Sequence, residues 1–233
     1  MEFVFLESSN GLRLTKQVSA KETKSYPNVR EVYSFHSDIE ASAEGLKELK
    51  SLILKHSADG HCLIKGPLKK VLTGESRRGQ SDKLAYAEYI VLDLDGLYVD
   101  GYKHKSRLTS KDVERVAKLV MSQMPAALQD VSYIAQASSS MGMKGDRVSL
   151  HIYIALEVPL PPKTIKLWLK HINHTVQLFR SQLDLSSTGQ SLRYPLDLSV
   201  ADNSKLIFIA PPDFEDKKLD PFKSQQDRIV LVD

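Results

Sequence analysis

The sequence has 233 residues, of which 42% are hydrophobic and 26% are charged, so it can form one domain or two small lobes that share a site. Its net charge of +3 does not identify a nucleic-acid partner, because a clustered basic face matters more than the total. Its one cysteine, Cys62, excludes an internal disulfide and a zinc site built from several cysteines.

Hydrophobic periodicity and turn signals divide the chain into strands and helices. The predicted elements are, in chain order, strands and turns over residues 1–36, a helix from Ser37-Asp38 to 58–60, a strand over 61–64, a basic loop over 73–80, a strand over 89–96, a helix over 109–124, a strand over 131–137, a Ser- and Gly-rich loop over 138–145, a strand over 148–156, a helix over 161–179, and strands over 206–210 and 229–232. This order predicts an α+β fold whose largely antiparallel sheet is covered on one face by helices. We expect the chain to be a fragment of a longer polypeptide.

Two aspartates share one face of the best-predicted strand. Asp93 and Asp95 follow an apolar run, and side chains at i and i+2 of a strand point the same way, about 6.5–7 Å apart. Neighbouring carboxylates repel each other, and a divalent metal such as Mg²⁺, which takes oxygen ligands, relieves that repulsion. The alternative is that both acids face water at the end of the strand and that Asp95-Gly96 makes a turn.

A polar row lies within the apolar strand predicted over 148–156. Ser149, His151 and Tyr153 point to one face of it, and the aliphatic residues between them point to the other. Such a row indicates a face that lines a site, where a histidine can contact a triphosphate or orient a hydroxyl. The alternative is a half-buried histidine whose hydrogen bonds are satisfied within the fold.

A third acid precedes the strand predicted over 206–210. Asp197 would complete a carboxylate pocket able to hold two metals, which lie about 3.5–4 Å apart in polymerases and nucleases. Asp202 competes for this role. The alternative is that Asp197 serves as a turn or cap residue.

The order of these motifs resembles the archaeo-eukaryotic primase (AEP) superfamily, in particular primase-polymerase catalytic domains of the phage and plasmid type. The resemblance rests on Asp93-Leu94-Asp95, on Ser149-Leu150-His151 and on Asp197. Residues 63–68 and 75–79 also look like segments that precede the acid pair in that family.

The resemblance implies an RRM-like, mostly antiparallel catalytic unit over residues 86–233, beside a small N-terminal α/β unit over 1–85 that contributes basic nucleotide contacts. It implies a DNA primase or polymerase that uses nucleoside triphosphates, single-stranded DNA as template, and two divalent metals, Mg²⁺ or Mn²⁺. The catalytic and metal-binding residues would be Asp93, Asp95 and Asp197. The nucleotide-binding residues would be Ser149, His151, Arg77 and Lys65, to which the loop over 138–145 adds the charge of Lys144.

Further partners and the cellular location are expectations of the same kind. The resemblance implies a helicase, fused or separate, as a partner, and the cytoplasm of a bacterial host as the location. No apolar run reaches the length of a membrane span, so no membrane partner is expected. Lys205 stands near a position where many relatives carry arginine, a change that preserves phosphate contact but not bidentate geometry.

Other functions use the same residues. Residues 91–96 also resemble the first motif of haloacid dehalogenase phosphatases, in which Asp93 would be the nucleophile, but Gly145-Asp146 lacks the acid that should follow it. A non-catalytic DNA-binding replication module and a metal-dependent nuclease are further alternatives. Tyr153 and Tyr194 are candidates for a steric gate at the sugar.

Overall fold

The structure, a computed structural model, describes all residues from 1 to 233 and has the α+β composition that the sequence predicts. The strands are β1 (Glu2–Ser8), β2 (Gln17–Val18), β3 (Thr23–Lys24), β4 (Glu31–Asp38), β5 (Cys62–Ile64), β6 (Thr73–Ser76), β7 (Ala87–Tyr98), β8 (Tyr133–Ala137), β9 (Arg147–Leu160), β10 (Asp184–Leu185), β11 (Leu192–Arg193), β12 (Leu206–Ile207), β13 (Asp213–Phe214) and β14 (Ile229–Val232). The helices are α1 (Ala43–Ala58), α2 (Ser110–Met121), α3 (Pro162–Thr175) and α4 (Gln177–Arg180).

Two antiparallel sheets form the framework. The first sheet has the strand order β12-β5-β1-β4-β6, and the second has the order β14-β8-β9-β7. Strand β12 comes from the C-terminal half of the chain but pairs with β5 in the first sheet. A small sheet of β13, β2 and β3 and the hairpin β10–β11 complete the strands.

Alternate side chains of strands in both sheets form one shared hydrophobic core. In β1, Phe3 and Phe5 enter this core, whereas Val4 and Leu6 enter another core on the opposite face of the strand. In β7, Tyr89 and Val91 enter the shared core, whereas the alternate side chains pack on the far side with α2 and α3. The face of β7 that carries Tyr89 and Val91 therefore turns toward the first sheet.

Helix α1 begins later than the sequence predicts. Strand β4 continues through Asp38, which pairs with Glu2 of β1, so Ser37-Asp38 end a strand and do not start a helix. The N-cap is Ser42, whose Oγ accepts a hydrogen bond from Gly45 N at 3.1 Å. Pairing with β1 along the whole of β4 outweighs the local capping signal of Ser37-Asp38.

Three other predicted elements change their limits. The basic loop predicted over 73–80 contains β6, which pairs with β4 through a bulge and forms the edge of the first sheet. The helix predicted over 161–179 is interrupted at Val176, whose backbone is extended. The strand predicted over 206–210 is limited to β12. In β6 the partner strand imposes the conformation, because Thr-Gly-Glu-Ser carries little strand propensity of its own.

The predicted division between residues 85 and 86 stays a prediction. Each side of it contains one main sheet, but β12 and β13 return from the C-terminal half to pair with strands of the N-terminal half. None of the helices is both long and apolar enough to cross a lipid bilayer.

Candidate active site

The acid pair lies on the face of β7 that turns toward the first sheet. Alternation continues from Tyr89 and Val91 in the shared core to Asp93 and Asp95, which line a cavity where that core ends. No turn follows Asp95. Strand β7 continues through a bulge at Gly96, whose φ of +73° favours glycine.

Ser149 and His151 lie directly across from the acids on β9, because the strand register pairs Asp95 with Ser149 and Asp93 with His151. Ser149 Oγ donates to Asp95 Oδ1 at 3.2 Å and accepts from Gly96 N at 3.0 Å. His151 Nε2 lies 3.5 Å from Asp93 Oδ1, which is longer than an ordinary hydrogen bond. Ser149 is fully buried, so it orients Asp95 and does not line the cavity as a nucleotide contact would.

Asp197 reaches the acid pair because its segment adds to the free edge of β7. Leu196 forms a β-bridge with Leu94, and Asp197 N donates to Asp93 O at 3.0 Å. Asn173, which is fully buried on α3, accepts from Leu196 N at 3.1 Å and donates to Leu196 O at 2.9 Å. Helix α3 therefore holds the segment that carries the third acid.

The competing acid, Asp202, lies outside the cavity. Its Oδ1 accepts hydrogen bonds from Ser204 N at 2.9 Å and Ser204 Oγ at 2.8 Å. Asp197 lines the cavity and also caps the 3-10 turn that follows it, accepting from Ser199 N at 2.8 Å and Ser199 Oγ at 2.7 Å. The cap role and the cavity position therefore coexist at Asp197.

The cavity has a volume of about 690 Å³ and is lined from both halves of the chain. Its acids are accompanied by cations, so the lining suits a polyanion that arrives with metal ions. The basic residues of the lining are Lys16, Lys166, Arg193 and Lys205.

Lysines pair with two of the three acids. Lys144 Nζ lies 3.2 Å from Asp95 Oδ1, and Lys205 Nζ lies 3.0 Å from Asp197 Oδ2. The carboxylate of Asp93 has no lysine partner and no hydrogen-bonded donor, and its polar contact is the 3.5 Å approach of His151. Asp93 is thus the acid whose charge is least compensated within the protein.

Burial and like charge raise the pKa of Asp93. Burial is the largest cause, and the charges of Asp197 and Asp95 add to it, whereas His151 and Lys205 act in the opposite direction. A cation placed at the cavity would favour the ionised form of Asp93 and reverse this shift.

Local partners lower the pKa of the other two acids. Burial raises the pKa of Asp95, but the charge and hydrogen bond of Lys144 outweigh it. Burial likewise raises the pKa of Asp197, and hydrogen bonds from Ser199 together with the charge of Lys205 outweigh that effect. Both are therefore ionised at neutral pH.

His151 is neutral in this environment. Burial lowers the pKa of His151 more than Asp93 and Asp95 raise it. Its Nδ1 is buried and has no hydrogen-bond partner in the protein. The fold thus leaves one ring nitrogen of His151, a residue of the cavity lining, without a hydrogen bond.

The donor set of the cavity fits a hard divalent cation. Asp93, Asp95 and Asp197 supply carboxylate oxygens, which Mg²⁺ and Mn²⁺ prefer. No group of three His, Cys, Asp or Glu side chains converges closely enough to hold an ion by itself. Mg²⁺ is commonly held by one or two carboxylates together with substrate phosphates, so a complete protein cage is not needed.

Of the five predicted nucleotide contacts, only His151 lines this cavity. Ser149 is buried behind Asp95, Lys144 pairs with Asp95 without belonging to the lining, and Lys65 and Arg77 lie elsewhere. Lys65 is 1% exposed, and its Nζ donates to Tyr89 O at 3.0 Å. Arg77 lines a different cavity, and its Nε donates to Val29 O at 2.8 Å. The resemblance implies that both reach the triphosphate, but the sequence does not show where the first sheet places them.

The cavity includes two residues that the sequence did not single out. Lys16 Nζ donates to Ser140 Oγ at 2.9 Å. Burial lowers the pKa of Lys16 below its ordinary value, although the charge of Asp95 opposes this effect. Tyr26 stacks on Phe208 with ring centroids 3.8 Å apart, and burial raises the pKa of Tyr26 to about 12. Neither lies in a motif, so no local signal could have identified them.

The other predicted residues divide between the cavity and the interior. Tyr194 lines the cavity, whereas Tyr153 is buried and its OH donates to Gln136 Oε1 at 3.0 Å, so only Tyr194 remains a candidate steric gate. Asp146, considered for a phosphatase, lies outside the cavity and accepts a hydrogen bond from His104 N at 2.7 Å. The phosphatase alternative therefore lacks its second acid at the site.

No protein-family model and no curated protein matches the sequence. Among solved structures, the chain is similar to the polymerase domain from Mycobacterium tuberculosis Ligase D in complex with DNA. The similarity has a TM-score of 0.36 and 17% identity, and it covers 82% of this chain and 55% of that chain. The chain thus spans about half the length of that structure.

Proposed function

We propose that the protein is a metal-dependent nucleotidyltransferase, a DNA primase or polymerase that joins nucleoside triphosphates along a single-stranded DNA template. The observation that carries the proposal is the cavity where Asp93, Asp95 and Asp197 meet basic side chains from both halves of the chain. The order of the acid pair, the Ser-x-His pair and the third acid along the sequence supports the same reaction class.

The three carboxylates would hold two divalent ions, Mg²⁺ or Mn²⁺, together with the triphosphate of the incoming nucleotide. When bound, such ions lower the pKa of an attacking 3′-hydroxyl and stabilise negative charge on the leaving pyrophosphate. Ser149 fixes the orientation of Asp95, and Asn173 fixes the segment of Asp197. The chain therefore contributes positioning and charge, which supply most of the catalysis in phosphoryl transfer.

Basic and neutral side chains would hold the nucleotide. Lys16 and Lys205 line the cavity beside the acids and would contact phosphates, as would Lys144, which pairs with Asp95. His151 would act as a neutral hydrogen-bonding group toward the nucleotide, since burial lowers its pKa. When metal ions bind the acids, Lys144 and Lys205 would release their carboxylate partners and contact phosphates of the nucleotide instead.

The surroundings of Asp93 support a functional role for this acid. Its carboxylate is kept beside two other acids without a lysine of its own, an arrangement that opposes folding at neutral pH. Strained electrostatics of this kind are typical of functional sites.

The proposal is tested by a strand-extension assay. The protein is incubated with single-stranded DNA, Mg²⁺ or Mn²⁺ and labelled nucleotides, with and without a primer. We expect product to lengthen with the wild-type protein and to fall by about 10²-fold or more with Asp93→Asn or Asp197→Asn, because charge stabilisation at the reacting phosphate is lost. Product without a primer would identify a primase.

Asp202→Asn is the matched control, because it makes the same change close in sequence but outside the cavity. It should retain extension. Extension that survives Asp93→Asn, or that Asp202→Asn abolishes equally, contradicts the proposal. Shortening of labelled DNA without any nucleotide requirement would indicate a nuclease built on the same acids.

A further inference from the structure

A second cavity, outside the candidate active site, concentrates positive charge. It has a volume of about 660 Å³, and its lining contains no acid and one hydrophobic residue, Val29. We call this surface the basic cleft and define it by four cations, Arg30, Arg77, Arg78 and Lys83.

Strand pairing brings the arginines of the basic cleft together. Arg30 immediately precedes β4 and Arg77 immediately follows β6, and Arg77 N donates to Arg30 O at 3.0 Å. A tight turn then presents Arg78, closed by the hydrogen bond from Gln80 N to Arg77 O at 3.1 Å. Gly79 has a φ of +75° at this turn, a conformation that favours glycine.

The charges of the basic cleft are not neutralised within the protein. None of its four cations belongs to an ion pair. Of the nearby acids, Glu75 pairs with Lys70 at 2.5 Å and Asp82 Oδ1 accepts from Leu84 N at 3.0 Å. Asp202 attracts Lys83 electrostatically but forms no ion pair with it. Like charges gathered in this way repel each other, and an anionic ligand would relieve the repulsion.

The basic cleft adjoins the candidate active site. Ser204 lines the cleft, and the next residue, Lys205, lines the cavity of the three acids. The cleft has no aromatic residue in its lining, so it offers no stacking surface for the base of a free nucleotide. Its chemistry matches phosphate groups that recur along a strand.

We propose that the basic cleft binds the phosphate backbone of a nucleic-acid strand and holds that strand beside the candidate active site. The strand's use there rests on the proposed function, but its binding requires neither metal nor catalysis. Arg30, Arg77, Arg78 and Lys83 contact phosphates, and the contacts are independent of base sequence.

Strand binding is measured by the fluorescence anisotropy of a labelled oligothymidylate in EDTA, without nucleotides, over a series of NaCl concentrations. The test variant is Arg78→Gln/Lys83→Gln, because both side chains are exposed and donate no hydrogen bond that the fold needs. We expect affinity at low salt to fall about tenfold or more. The slope of log affinity against log salt should decrease by about 1.4, since each single-strand phosphate contact contributes about 0.7.

Lys217→Gln/Lys218→Gln removes the same charge from an exposed turn elsewhere and should leave affinity within about twofold of wild type. Equal losses in the two double variants, or no loss in Arg78→Gln/Lys83→Gln, would overturn the proposal. So would binding of anionic lipid vesicles, but not of the oligonucleotide, through the same residues. Because binding is measured in EDTA without nucleotides, failure of the extension assay leaves the strand-binding result intact.

Discussion

Lys65 is a lysine buried without an acidic partner. Its Nζ lies 3.9 Å from the centre of the Tyr89 ring and donates one hydrogen bond, to Tyr89 O. Burial lowers the pKa of Lys65 to about 7, whereas burial and like charge raise the pKa of Asp93. Lys65 in the interior and Asp93 in the candidate site therefore each oppose folding at neutral pH.

The pH dependence of the free energy of unfolding should reveal the lowered pKa of Lys65. The folded-state pKa of about 7 lies below the ordinary value of 10.5, so between these values the unfolded chain binds more protons and stability rises with pH. Lys65→Met should flatten this rise in the free energy of unfolding, measured by urea titration at several pH values. A variant with the same slope as the wild type over that interval would show that Lys65 titrates normally in the fold.

Asp93→Asn should raise thermal stability while it sharply reduces extension. The folded-state pKa of Asp93 is raised, so its contribution to stability is present at low pH and is lost as pH rises through that pKa. At pH 7 in EDTA the amide removes this cost, and each 1 kcal/mol gained corresponds to roughly 2–4 °C in Tm for a chain of this size. Scanning calorimetry measures the change. A lower Tm for Asp93→Asn would mean that the carboxylate stabilises the fold.

At the scale of single elements, alternation makes part of the site predictable. The sequence places Asp93 and Asp95 on one face of β7, and Ser149 and His151 on one face of β9, and the register joins the two pairs. The edge segment of Asp197 is not predictable in this way. Its position depends on side-chain hydrogen bonds from α3, which leave no periodic signal in the sequence.

Asn173→Ala should destabilise the protein and weaken metal binding together. Asn173 satisfies both the N–H and the C=O of Leu196, and leaving buried polar groups unpaired costs about 1–3 kcal/mol each. Loosening this segment frees Asp197 from its place beside Asp93. Urea denaturation and Mn²⁺ titration measure the two effects. His171→Ala, an exposed change on the same helix, is the control, and a destabilised variant with unchanged Mn²⁺ affinity would separate Asn173 from the site.

At the scale of the whole molecule, the candidate site depends on contacts between the two halves of the chain. Lys16 and Tyr26 reach the cavity from the N-terminal half, and the shared core fixes the two sheets to each other. Motifs do not reveal such contacts, because they depend on how one sheet is oriented against another. For the same reason the sequence could identify Arg77 as basic but could not place it in the basic cleft.

The shared core predicts that the two halves unfold together. Phe3 of β1 is fully buried and stacks on Tyr89 of β7, with ring centroids 4.2 Å apart. Phe3→Ala should cost about 3–5 kcal/mol. It should also lower the urea midpoint reported by the fluorescence of Trp168, which packs in the core beyond the second sheet. Leu84→Ala, at a side chain that is 84% exposed, is the control. A Trp168 transition unaffected by Phe3→Ala would mean that the halves unfold separately.

Counting the metal ions bound at Asp93, Asp95 and Asp197 tests most directly whether these three acids form a metal site. Mn²⁺ binding is followed by calorimetry and by electron paramagnetic resonance, in the presence of a non-hydrolysable nucleoside triphosphate. We predict about two Mn²⁺ ions per chain for the wild type, as in other two-metal sites, with binding lost in Asp197→Asn and retained in Asp202→Asn. Wild-type protein that binds no Mn²⁺ with the nucleotide, or equal binding by the wild type and Asp197→Asn, would contradict the central claim.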